Sequence, residues 1–291
     1  MTTSSRRFRF VQLEYPWALG PDAGRYTIRE RLAEAPRHIL VLAVLGAHQR
    51  RLLPRRRRAR DVSPGPPPEP VATSRVTLVD TVALNGERAA EQWLRAAPLD
   101  ALAAGAVARL NRVLHAHRIA TADPYAREVA LEQALVARVG YGLGEQVADG
   151  RWESARELPR ARGGALPRPG GASLRPQERL TAVLGGRDAL LACEELTLRV
   201  RADVDAGRMR EAALGLGVTL DAALAELEPW RDQAALGERM AELRARREDV
   251  RGAAGSALEG GLSEAQAEVV RAVLARVEAA LRARTARGLG S

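Results

Sequence analysis

The segment from Phe8 to Tyr15 carries the short-period pattern of a strand and runs into a turn region, Pro16 through Gly20-Pro21. Arg25-Tyr-Thr-Ile-Arg29 predicts a second short strand, and Ile39–Leu45 a third, apolar enough to be central. Arg75–Leu84 predicts a fourth. Four strands this close together imply a small, mainly antiparallel sheet, which needs helices against one face to be stable.

After Asn85, read as an N-cap, helical spacing takes over. Residues 87–97 predict a helix ended by Pro98. Asp100 then opens a second, with Leu102, Ala106, Leu110, Val113 and Leu114 on one face. Asp123-Pro124 stands in the order that starts helices, and Tyr125, Val129, Leu135, Val136 and Val139 then read as a third stripe, with weaker helical stretches ending near Leu158. Residues 159–172, rich in Gly and Pro, read as a linker. Beyond it helices are expected at 176–184, about 188–206, roughly 208–228 and 232–250. A capping box at Ser263-Glu-Ala-Gln266 leads into a last helix with Val269, Val270, Val273, Leu274, Val277 and Leu281.

The expected fold class is therefore α+β. The expected domains are a strand-rich module, 1–158 (strands 8–84, helices 87–158), a linker, 159–172, and an antiparallel helical bundle, 173–288. Aromatics make up only 3% of the chain, so both cores must be built mainly from Leu, Val and Ala.

Charge changes this picture at one place. The chain has no lysine, and its 45 basic residues are all arginine, a bias that a GC-rich bacterial genome produces together with abundant Ala and Gly. Residues 1–75 hold 15 Arg against 6 acids, so the whole formal excess of +9 lies in the first quarter. Seven of those arginines, Arg50, Arg51, Arg55, Arg56, Arg57, Arg58 and Arg60, fall within eleven residues. Five prolines in eight follow, from Ser63 to Pro70. Mutual repulsion and missing N–H donors make residues 50–74 an expected basic, Pro-rich loop rather than part of a ladder.

Such a run is the expected site for a polyanion, nucleic acid first, held through phosphates without sequence selectivity. Arg7, Phe8, Arg9 and Phe10 interleave guanidinium groups with rings and read as a stacking surface for single-stranded nucleic acid. The competing reading makes Phe8, Val11, Leu13 and Tyr15 the core of the sheet and the arginines its solvated side.

Signals for catalysis are poor. His115 and His117 are two apart on a helix, about 200° around its axis, and cannot chelate one ion together. His38 and His48 flank the third strand. Glu194-Glu195 and Asp203/Asp205 are expected to pair with arginines. Gly140-Tyr-Gly-Leu-Gly144 lacks the third glycine and the preceding strand of a phosphate loop, and reads as the end of a helix. The lone cysteine, Cys193, reads as a small core residue. No metal or cofactor is called for.

The N-terminus matches a twin-arginine export signal for three residues and then departs from it, and the longest apolar run is half a membrane span. A cytoplasmic, soluble protein without a transmembrane segment is expected. Its expected role is a non-enzymatic adaptor or scaffold, with the arginines gripping a polyanion and the bundle making protein contacts or self-associating. One alternative is an enzyme with an inter-domain cleft, using arginines to hold a phosphorylated or carboxylated substrate. Another is a structural subunit of a larger assembly.

Overall fold

The computed structural model describes residues 6–29, 35–46, 72–159 and 175–287. The chain divides into two compact units, Met1–Gly164 and Ala165–Ser291. The first is built on an antiparallel sheet and the second of helices, so the fold class is α+β.

Six strands form the sheet: β1 (Arg7–Tyr15), β2 (Gly24–Ile28), β3 (His38–Leu45), β4 (Thr73–Leu84), β5 (Val136–Gly142) and β6 (Ser154–Glu157), in the order β2-β3-β4-β1-β5-β6. Every neighbouring pair is antiparallel. Strand alternation divides the side chains between two faces. On one, Val11, Leu13 and Tyr15 of β1 join Leu40, Leu42, Val76, Leu78, Val139 and Tyr141. They pack against Ala90 and Leu94 of helix α1 (Glu87–Ala96) and Ala106, Leu110 and Leu114 of helix α2 (Leu99–Thr121).

On the other face Phe10, Val79 and Val147 form a smaller core, with Phe8, Trp152 and Ala155 against it. Gln12, fully buried beside them, donates to Thr77 Oγ1 at 2.8 Å and accepts from Arg138 Nη1 at 2.8 Å, so its amide is satisfied on both ends.

The third helix expected after Asp123 does not form. The Asp123 carboxylate takes the Tyr125 N–H at 2.8 Å, closing a local turn instead of capping a helix. Asn111 of α2 then ties down Val129, donating to its carbonyl at 2.9 Å and accepting its N–H at 2.8 Å. From Leu135 onward the chain pairs with β1 as β5. Val136 and Val139 satisfy a helical stripe, but the operative pattern is Val139 and Tyr141 turned to the main core.

Gly140 and Gly142 are therefore strand residues, not a helix end. A Cβ on Gly140 would strike the Ser154 carbonyl and stand 2.8 Å from the Phe10 ring. On Gly142 it would lie 2.6 Å from Val147 Cγ1. These glycines let the segment 144–155 close over the second face.

The second unit contains α3 (Arg175–Leu184), α4 (Ala192–Asp205), α5 (Met209–Glu226), α6 (Ala234–Ala245), α7 (Arg247–Glu259) and α8 (Glu264–Arg287). Leu216, Leu220, Leu227, Leu236, Met240, Leu243, Val273, Leu274 and Val277 fill the interior, with alanines allowing close helix approach. The capping box opens α8 as expected: Ser263 Oγ accepts the Gln266 N–H and Gln266 Oε1 accepts the Ser263 N–H. The expected helix at 232–250 is broken at Arg246 into α6 and α7. Cys193 is fully buried, and burial, reinforced by Glu226, pushes its thiol up to about 12, so it is a core residue and not a nucleophile.

Helix α3 is held differently. Leu180 and Leu184 are exposed, and Ala182 is its one buried apolar residue among those described. Arg179 instead reaches Asp188 at 3.2 Å and Glu194 at 2.6 Å. Arg284 of α8, nearly buried, meets the same two carboxylates and lies 4.7 Å from the Trp230 ring centroid.

Candidate anion-binding pocket

The register of β1 and β4 slips beside Arg9. Phe8 faces Ala83 while Phe10 faces Val79, so a two-residue step on β1 is matched by a four-residue step on β4. The resulting bulge, Asp80 to Val82, is tied in place at both ends. Asp80 Oδ1 accepts the Val82 N–H at 2.9 Å. The Thr81 N–H and hydroxyl both donate to the Arg37 carbonyl, at 3.1 and 3.0 Å. Bulges of this kind re-aim side chains next to binding sites.

Here the bulge opens a cavity of about 400 Å³ between the sheet and its helices, within the range of small-molecule sites. Arg9, Arg37, His38 and Asp80 line it from the sheet side, Trp93 from α1, and Leu102 and Arg109 from α2. Among the described residues three arginines and one carboxylate thus line the same space.

Arg9 lies 3.5 Å from Asp80 and 5.4 Å from the Trp93 ring centroid. Its Nε is buried with no hydrogen-bond partner among the described residues. Arg109 Nη1 donates to the Gly105 carbonyl at 3.0 Å, one turn back on α2. A side chain on Gly105 would press against that guanidinium at 3.1 Å, so the glycine keeps room for it.

A wider groove nearby is lined by Glu87, Glu91, Glu153, Arg95 and Arg156. Arg7 bridges Glu87 and Glu153, and Arg95 pairs with Glu91, so its charges are already matched.

Of the residues expected to bind a polyanion, Arg50, Arg51, Arg55, Arg56, Arg57, Arg58 and Arg60 lie outside the described residues. Arg7, Phe8, Arg9 and Phe10 do not make one stacking surface, because strand alternation splits them. Phe10 is 1% exposed, with its ring 5.8 Å from Trp152, and Phe8 is half-buried beside it on the second face. Arg7 is spent on Glu153 and Glu87, and Arg9 enters the pocket.

His115 stands 4.0 Å from Glu128 while His117 packs at Gly20. Among the described residues no three His, Cys, Asp or Glu are grouped to hold a metal ion. The paired carboxylates are ion-pair members: Glu195 with Arg199, Asp203 with Arg208 and Asp205 with Arg201. Glu194 takes Arg179 and Arg284, neither of which is its sequence neighbour.

Sequence reasoning missed Arg37, Asp80, Trp93 and Arg109. The available signal was Arg109, seven residues after Leu102 and so on the same face of α2. Comparison with protein families, with characterised proteins and with solved structures gave no match. No helix among the described residues is long and apolar enough to cross a membrane.

Proposed function

We propose that the first unit is an anion-binding module that holds a carboxylate- or phosphate-bearing ligand, and that the chain acts as a binding protein or adaptor rather than as a catalyst. The observation that carries this reading is that Arg9, Arg37 and Arg109 line one cavity in which, among the described residues, Asp80 is the acidic member. Guanidinium forks are matched to carboxylate and phosphate oxygens and stay charged at every accessible pH. The unpartnered Arg9 Nε is a donor that an entering oxygen would satisfy.

The test is titration of the full chain with two anions, citrate and naphthalene-2-carboxylate, followed by calorimetry. Loss of one charge-assisted contact, in Arg37→Gln or Arg109→Gln, is expected to weaken the tighter anion about tenfold or more. Affinity unchanged in both variants would refute the reading.

A second reading is supported by the concentration of the formal charge excess in residues 1–75. In it, the Arg50–Arg60 run grips nucleic acid. Leu45 pairs with Thr73, whereas His38 and Asp80 pair seven residues further along the same two strands, about 23 Å away. Deletion of the arm and substitution in the pocket test the two readings separately. Binding to labelled DNA and RNA is expected to fall with salt at a log–log slope of roughly −6 and to collapse on deletion of residues 50–60. Indifference to that deletion would discard the arm. The helical unit would supply protein contacts, for which exposed Leu184, Leu198 and Leu258 are the supporting feature. A sedimentation series checks self-association.

A further inference from the structure

The lining of the Arg9 pocket is graded. Val11, Leu78 and His38 are buried, and Trp93 and Leu102 are half-buried. Arg37 is exposed, and the Arg9 side chain is about one-third exposed. The most buried apolar lining, Val11 and Leu78, is thus aliphatic, Trp93 and Leu102 stand half-buried at the same depth as Arg9 and Arg109, and Arg37 is at the opening.

A naked inorganic anion would leave the apolar wall facing solvent or empty space, and would gain nothing from it. A nucleic-acid strand presents phosphates along its whole length, and a cavity of about 400 Å³ does not follow such a backbone. A ligand with an apolar body and one anionic end matches both parts: the body displaces water from Val11, Leu78, Trp93 and Leu102, and the head reaches Arg9, Arg37 and Arg109.

Resting on the anion-binding reading above, we infer that the pocket's ligand is a small amphipathic acid, an aromatic or branched-alkyl group ending in a carboxylate or phosphate. Asp80 fits this assignment, since its charge opposes a multiply charged anion more strongly than a single anionic head.

The experiment titrates the full chain with naphthalene-2-carboxylate, its neutral counterpart 2-naphthamide, and inorganic phosphate. The same titrations follow with Arg37→Gln and Leu102→Gln, at an exposed and a half-buried position. The carboxylate is expected to bind at least about tenfold tighter than either of the other two, the worth of one charge-assisted contact or of a buried ring. Arg37→Gln is expected to remove the preference over the amide, and Leu102→Gln the preference over phosphate. Phosphate binding as tightly as the carboxylate, with both sensitive to Arg37→Gln, overturns the amphipathic ligand while leaving the anion pocket standing. Amide and carboxylate binding equally overturns both. Carboxylate binding indifferent to both substitutions places it elsewhere and also overturns the inference.

Discussion

Asp80→Asn removes the negative charge that the described residues bring to the pocket. Asparagine keeps an oxygen for the Val82 N–H, so the bulge that shapes the cavity is retained while the charge is lost. Asp80 lies 3.5 Å from Arg9, so an anion seated on Arg9 would sit about 6 Å from the carboxylate. At an effective dielectric constant of about 20 that repulsion is roughly 3 kcal/mol. The Arg9 side chain is 34% exposed and that of Asp80 16%, so solvent and salt screen a good part of it. About 1.4 kcal/mol remains, a tenfold gain in affinity on substitution. Calorimetry at about 50 and 300 mM salt measures it, and the gain is expected to shrink at the higher salt. A loss of affinity in Asp80→Asn would refute the reasoning. Asp80 would then serve chiefly to hold Arg9 in place, and its charge would be part of the binding geometry instead of a competitor.

Other consequences concern stability. Gly140→Ala forces a Cβ against the Ser154 carbonyl, which cannot swing aside as a side-chain end could; a loss of about 2–3 kcal/mol is expected by urea denaturation followed at Trp152. Ala122, at the C-terminus of α2, has a left-handed φ of +52°, and Ala122→Gly is expected to add about 1 kcal/mol; an unchanged or lower midpoint would mean that the cap is not strained. Burial alone would raise the Asp188 carboxyl, but the Ala189 N–H, Arg179 and Arg284 together hold it below its ordinary value. A depressed folded value contributes stability above the unfolded carboxylate range that disappears as pH falls through the folded one. The second unit is therefore expected to lose stability below about pH 4, and Asp188→Asn to flatten that slope in acid denaturation followed at Trp230.

The local patterns of this chain settle much of the fold class. The four strands expected between Phe8 and Leu84 all form, because their side-chain period and turn residues act over a few neighbours. The same holds for α1, α2, α5 and the capped start of α8. The stretch after Asp123 shows where local reasoning stops. Its residues fit a helix about as well as a strand, and the choice was made by Asn111 and by the open edge of β1, both distant in sequence. Tertiary pairing overrides local propensity when an unsatisfied strand edge is waiting.

The candidate site was even less legible. Arg9 could be singled out, but as a partner of Phe8 and Phe10, whose rings alternation sends to the opposite face. Arg37 just before β3, Asp80 of β4, Trp93 of α1 and Arg109 of α2 are far apart along the chain, and only the spacing of Arg109 from Leu102 gave a local signal. What the sequence determined by itself was periodicity, caps and the uneven placement of charge, because these depend on residues close along the chain. What only the tertiary structure decided was the fifth and sixth strands, the β4 bulge and the arginine pocket, because each requires side chains and backbone edges that meet only once the sheet has closed.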